Sequence, residues 1–172
     1  RLELSGIKGT LHVYAIYLDP GCWKRRNRQM QKIIGAYNTN AHNLLLGDFN
    51  FTLCSNDRIS KSCEPHGDNY TDKKNAEAWR QACEQMQLKE LSQGQMTGEN
   101  RFGWSRIDRA YTNLHAVDIS MMHTACFLLE QPRHLSEHRP FAVVFARRNA
   151  KQSRPIPSWV IQHPDFRKEL HG

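Results

Sequence analysis

Three short stretches carry the residues best suited to chemistry: Gly47-Asp48-Phe49-Asn50, Ser105-Arg106-Ile107-Asp108-Arg109-Ala110-Tyr111 and Ser136-Glu137-His138-Arg139-Pro140. Between them they offer carboxylates, an amide and an imidazole, the groups that phosphoester hydrolysis uses to activate a water and to bind a phosphate. Each has a plain structural alternative. Asp-x-Asn after a strand commonly forms an Asx turn, an Asp beside an Arg is ordinarily a solvated pair, and a His before a strand is ordinarily a satisfied surface residue. The weight therefore rests on the set.

The elements that must position these groups can be read from periodicity. Asp48 and Asn50 follow the apolar run Leu44-Leu45-Leu46, which places them at the mouth of a buried strand, where parallel and mixed sheets collect ligands. Glu137 and His138 stand just before Phe141-Ala142-Val143-Val144-Phe145, a second buried-strand pattern. Leu2 to Leu18 reads as strand, turn, strand, and Leu11 to Leu18 as a strand buried on both faces. Met30, Ile33, Ile34 and Tyr37 mark one stripe of a helix over 24–37, and 43–49 returns as a strand. Residues 54–74 are polar and read as a long exposed loop. Asn75 then caps a helix whose Trp79, Cys83, Met86 and Leu91 face the core, up to a stop at Gln93-Gly94. A loop over 95–104 precedes three further strands over 106–112, 117–129 and 140–146.

Composition narrows the class. A chain of 172 residues, 39% apolar, suffices for one domain with a substantial core, and no apolar run approaches a membrane span. Leu2 onward already reads as strand, without a charged leader and apolar signal segment, so the chain looks like a piece of something longer. Five scattered cysteines without Cys-x-x-Cys spacing point to free thiols in a reducing, intracellular setting, nuclear or cytoplasmic. Cys54, Cys63 and His66 are too widely spaced, and lack a fourth ligand, to make a zinc site. The net charge of +7 is uneven: the stretch 147–172 carries +4, leaving +3 for the rest. Within that rest, Lys24-Arg25-Arg26-Asn27-Arg28 is either a phosphate-contacting cluster or a solvated helix face. Residues 149–172 read as a basic, proline-containing linker or tail following a domain over 1–148.

Together, in this order and with these gaps, the three stretches resemble the endonuclease/exonuclease/phosphatase family of metal-dependent phosphodiesterases, including the nuclease domains of non-LTR retrotransposons. The likeness runs from about Leu11 to Arg147. Tyr17, in Ile16-Tyr17-Leu18-Asp19-Pro20, looks like the family's tyrosine at the end of an earlier strand. The resemblance implies an α/β fold, a four-layer α/β sandwich of mixed sheets with outer helices, present here as a fragment: the later part of the domain. It implies Mg²⁺ or Mn²⁺ as cofactor and DNA as partner, with no membrane. It implies catalytic roles for Tyr17, Asp48, Asn50, Asp108 and His138, and metal binding by Asp48, Asn50 and Glu137. Asp48 would deprotonate the attacking water, Asn50 would donate to the phosphate or assist the metal, and His138, held by Asp108, would bind a non-bridging oxygen. Two departures stand out. Glu137 occupies a position where the family has aspartate, and nothing before Tyr17 supplies the family's metal-anchoring asparagine and glutamate, which implies that the piece alone is inactive. The readings carried forward are a DNA endonuclease of a retroelement polyprotein, an inositol-phosphate or lipid phosphatase or phosphodiesterase, and a catalytically silent binding domain. Trp104 is read as core or, in its loop, as a platform for stacking on a base.

Overall fold

The computed structural model describes residues 1–6, 9–62, 70–91, 93–128 and 136–147; the basic stretch 149–172, Cys63 and His66 lie outside them. Strands β1 (Leu2–Gly6) and β2 (Gly9–Tyr17) pair antiparallel, as the strand, turn, strand pattern predicts. Asp19 then turns the chain: its carboxylate accepts the N–H groups of Gly21 and Cys22 at 2.9 and 2.7 Å, delivering the backbone into helix α1 (Trp23–Ala36). Strand β3 (His42–Asp48) follows and runs parallel to β2, which completes the expected strand, helix, strand unit.

Beyond β3 the chain forms a short 3-10 helix (Ser55–Asp57), β4 (Arg58–Ser60), α2 (Tyr70–Gln85) and β5 (Lys89–Glu90). After these come β6 (Gly98–Asn100), β7 (Gly103–Ser105), β8 (Asp108–Thr112), α3 (Ala116–Met121), β9 (Met122–Leu128) and β10 (Phe141–Arg147). One mixed sheet has the order β1-β2-β3-β8-β5; β4-β7-β6 and β9-β10 form two smaller ones. This is an α/β fold of mixed sheets with helices outside.

The core lies between the helices and one face of the main sheet. Tyr14, Ile16 and Leu45 meet Met30 of α1, Trp79 of α2 and Met86 just beyond α2 there. Trp79 is 1% exposed, as its place on the apolar helix stripe predicts, and its ring centroid lies 4.9 Å from Phe49 and 5.3 Å from Tyr111. The opposite face is more open, and here the reading of Leu11 to Leu18 as buried on both sides is corrected: Ala15 and Tyr17 are exposed, and only the alternate residues His12 to Leu18 are buried.

Four boundaries differ from the sequence pattern, each for a local physical reason. Helix α2 begins at Tyr70, inside the expected loop, with Asp72 accepting the Thr52 hydroxyl at 3.0 Å and pairing with Arg58 at 3.2 Å; Asn75 is buried within the helix rather than capping it. That helix stops at Gln85, not Gln93, because Gln87 adopts φ 54° and Leu88 N–H closes back on the Cys83 carbonyl at 2.8 Å. Glycine usually fills that left-handed position, so the stop carries no sequence signal. The 95–104 loop is a hairpin, in which Asn100 accepts the N–H groups of Phe102 and Gly103 at 2.9 and 3.2 Å. The strand expected over 117–129 is one turn-and-a-half of α3 followed by β9, because His115 accepts the Val117 and Ile119 N–H groups and starts a helix.

Gly47 is a point of close approach. Its φ is 140°, and a Cβ there would lie 2.1 Å from the Ile16 carbonyl oxygen on β2. Gly47→Ala is expected to cost about 1–3 kcal/mol from backbone strain and overpacking. A urea midpoint unchanged from the parent chain would show that β2 can simply yield.

Candidate active site

Strand register assembles the site. Tyr17 on β2 is the direct partner of Asp48 on β3, and Asp48 is the direct partner of Asp108 on β8. Directly paired residues in a sheet point to the same face, so the three stand in one row across it, on the face away from the helices. Tyr17 is 68% exposed at the open end of that row. His138 closes the other end: its Nδ1 lies 3.0 Å from Asp108 Oδ2, and its Nε2 lies 3.9 Å from Asp48 Oδ2, too long for a direct hydrogen bond. Asp48, Asp108 and His138 each offer a ligand atom within 4.8 Å of the others'.

Local backbone chemistry sets each group. Asn50 takes φ 55°, a left-handed conformation that asparagine tolerates better than most residues. Its N–H donates to Asp48 Oδ1 at 2.8 Å, and its side-chain amide donates to Asp48 Oδ2 at 2.9 Å and the Leu18 carbonyl at 2.8 Å. Both amide protons are thus engaged. The atom Asn50 has left is its carbonyl oxygen, a metal-type ligand rather than a phosphate donor. His138 sits between two backbone bonds, Glu99 N–H to the Glu137 carbonyl at 2.8 Å and Arg139 N–H to the Thr97 carbonyl at 2.6 Å. Its own N–H donates to the Ser136 hydroxyl at 3.0 Å. Glu137 is exposed and lies outside the converging trio.

The electrostatics follow from these contacts. The hydrogen bond to Asp108 raises the His138 pKa above its ordinary 6.5 against the opposing effect of burial, with the charges of Asp108 and Asp48 adding to it. Burial raises the Asp48 carboxyl above its ordinary value; Asp108 adds to this, while Asn50 and His138 oppose it. A raised imidazole pKa means that folding favours the cation. The stability from this pair is therefore present below the unfolded-state value of about 6.5 and is lost as pH rises through the folded value. The His138 ring in the metal-free chain is expected to titrate above 6.5 by NMR and to fall back in Asp108→Asn; an equal midpoint in both chains would mean the contact has no electrostatic consequence.

Behind the row lies a charge network with no local sequence signal. Arg109 is fully buried, and its guanidinium bonds Asp57 Oδ2 at 2.5 Å and Glu90 Oε1 at 2.9 Å; Arg106 bonds the same two acids at 2.7 and 2.6 Å. Burial alone would raise the Asp57 pKa, but Arg109 and Arg106 outweigh it and hold the carboxyl below its usual range. Asp57 and Glu90 were not foreseeable as partners, although two arginines around Ile107 in an apolar strand required acids from somewhere.

One member of the basic cluster at the start of α1 is withdrawn from the surface. Arg26 is 4% exposed and spends one nitrogen on the Asp19 and Pro20 carbonyls at 3.0 and 3.1 Å, with another 3.8 Å from Asp72. Arg25 pairs with Asp19 at 3.0 Å. These two hold the turn into the helix. Lys24, Arg25 and Arg28 remain exposed on α1, and a second group of exposed cations lies around the hairpin: Lys61 and Arg101, with Arg139 beside His138. A groove of about 310 Å³ runs there, lined by Arg58, Asn100, Phe102 and Trp104. Phe102 is 62% exposed, with the Arg101 guanidinium 4.5 Å from its ring centroid. No described helix is long and apolar enough to cross a membrane.

No protein-family model and no curated protein sequence matches the chain. Solved structures do. An AP endonuclease from Archaeoglobus fulgidus superposes with a TM-score of 0.56 at 15% identity, covering 78% of this chain and 61% of its own. The endonuclease domain of TRAS1, a telomere-specific non-LTR retrotransposon, gives 0.57 at 13% identity, covering 84% and 59%. A 3'-5' exonuclease (NExo) from Neisseria meningitidis gives 0.55 at 14%, covering 84% and 64%. The fold is thus endonuclease/exonuclease/phosphatase-like, and the chain spans about three fifths of the length of these structures.

Proposed function

We propose that this chain carries the catalytic row of a divalent-metal-dependent nuclease, a DNA endonuclease of the kind found in retroelement polyproteins. The observation that carries the reading is the alignment of Tyr17, Asp48 and Asp108 on adjacent strands with His138 bonded to Asp108.

Each residue has a distinct task. Asp48, whose carboxylate hydrogen-bonds only Asn50 among the described residues, would orient the attacking water and accept its proton. His138, with Nδ1 engaged by Asp108, would present its Nε2 proton to a non-bridging phosphate oxygen, and the hydrogen bond to Asp108, which raises the imidazole pKa, favours that proton. The exposed Tyr17 side chain stands beside Asp48 to donate to the phosphate. The donor set of carboxylate and amide oxygens suits a hard cation that keeps several waters, with Asp48 and the Asn50 carbonyl oxygen as holders. Bound there, Mg²⁺ or Mn²⁺ would neutralise charge on the phosphate. Glu137 joins this set only through a different side-chain orientation.

Nucleic acid is favoured over an inositol phosphate or lipid by the groove along the β6–β7 hairpin, where exposed Phe102 and half-buried Trp104 offer faces for bases and the nearby exposed Lys61 and Arg101 offer charge for a phosphate chain. The test uses this chain together with any residues encoded upstream of Arg1. Plasmid nicking is expected with Mg²⁺ and is abolished by chelation. Preferential phosphate release from an inositol phosphate would move the function to the phosphatase reading, and DNA binding without hydrolysis of either substrate would leave a silent binding domain.

Salt dependence localises the contact. Neutralising Lys61, Arg101 and Arg139 together is expected to flatten the log–log salt slope of duplex binding by up to about three units. Arg26→Gln should leave the slope unchanged, because its charge is spent inside the fold. The reverse pattern would return the contact to α1.

A further inference from the structure

Thr97 lies in a polar segment with no sequence pattern to recommend it, yet it is 1% exposed and makes bonds toward both halves of the acid–imidazole pair. Its Oγ1 accepts the N–H of Asp108 at 3.1 Å and that of Ile107 at 3.3 Å. Its carbonyl accepts the N–H of Arg139, the residue after His138, at 2.6 Å, and its own N–H donates to the Ser105 carbonyl at 2.9 Å. The next residue, Gly98, stands directly opposite His138 in an isolated bridge.

The geometry has a consequence for the pair. Asp108 begins β8, and His138 comes from a segment more than two dozen residues later, so their 3.0 Å contact depends on two chain segments keeping a fixed spacing. A hydrogen bond weakens steeply over a few tenths of an ångström, and functional groups must be held to about 0.5 Å. Among the described residues, Thr97 is the one that bonds the backbone on both sides.

We propose that Thr97 is the positioning residue of the Asp108–His138 pair, its hydroxyl holding the carboxylate's strand and its carbonyl holding the imidazole's. The proposal rests on the hydrolytic reading for what the pair does, but the linkage itself is measurable without cleavage. A buried threonine that only satisfied backbone donors would affect stability and leave the pair's geometry alone.

The test compares Thr97→Val, which keeps the shape and removes the acceptor, with Thr97→Ser, which keeps the acceptor. At one neutral pH in the metal-free chain, the His138 ring-nitrogen shifts report the bond to Asp108, with Asp108→Asn as the unlinked reference. Thr97→Val should move those shifts most of the way to the reference, and Thr97→Ser should restore them. In cleavage assays Thr97→Val should lower kcat by about tenfold or more with KM little changed, again restored by serine. Unmoved His138 shifts in the valine variant, or a serine variant no better than valine, would overturn the proposal. If the valine variant does not fold, hydrogen exchange on the unmutated chain decides: the amides of Ile107, Asp108 and Arg139 should open together, with protection within about tenfold of one another. An Arg139 amide that exchanges hundreds of times faster than Asp108 overturns it as well. Shifted ring signals in a chain that hydrolyses nothing even together with any residues encoded upstream of Arg1 would count against the nuclease reading and leave Thr97's role standing.

Discussion

Replacing Asp48 with alanine is expected to lower phosphodiester cleavage by about 10³-fold or more while leaving the fold intact. The carboxylate would serve as both proton acceptor and metal-side oxygen, so one substitution removes two contributions. Stability should change little, for a physical reason: among the described residues the Asp48 carboxylate hydrogen-bonds only Asn50, and burial together with the neighbouring Asp108 already disfavours its charged form. Removing a buried carboxylate whose pKa is raised relieves a desolvation cost, with some repulsion from Asp108, rather than creating one. Asp48→Asn should show a similar rate loss with the local turn preserved, which separates chemistry from shape. Single-turnover cleavage and a thermal melt on the same preparations decide the matter. A rate within about tenfold of the parent would remove Asp48 from the reaction; a collapsed melt would assign it to the scaffold.

The largest stability effect should come from Arg109→Met, at about 3–5 kcal/mol. Arg109 is wholly buried between Asp57 and Glu90, so its removal leaves two carboxylates with Arg106 as the cation still bonding both and the Leu53 and Cys54 N–H groups on Asp57. Arg106→Met should cost less, because that side chain is 17% exposed and water can replace part of what is lost. The same network sets the acid limit of the fold. The folded pKa of Asp57 lies below its ordinary value of 3.8, so its contribution is complete above that value and is lost as pH falls through the depressed one. Guanidinium denaturation at neutral pH, repeated near pH 3, checks both statements. Equal midpoints for the Arg109 and Arg106 variants would show that burial does not govern the energy of this network.

Asp48 and Asn50 at a strand mouth, the stripe of α1, Trp79 in the core and the strand after Pro140 could all be read from the chain, because each depends on periodicity or turn chemistry within about a dozen residues. The hairpin of β6 and β7 could not: Gly98-Glu99-Asn100 and Gly103-Trp104-Ser105 have no apolar alternation and become strands only by pairing with each other and with β4. The end of α2 escaped for a related reason, since Gln87 adopts a conformation that its residue type does not announce.

What the sequence by itself determined is therefore the inventory: the acids, amide and imidazole, each at the end of an apolar run that had to become an element. What only the tertiary structure decided is their mutual placement. The row Tyr17, Asp48, Asp108 exists because β3 pairs with β2 on one side and β8 on the other in one register, and a shift of one residue would turn Asp48 toward the helices. Arg26 is withdrawn from the surface by carbonyls at Asp19 and Pro20, and Arg109 by acids 52 and 19 residues away in the chain. Such partners are chosen by packing between distant segments, and the pattern along a single strand or helix contains no record of that choice.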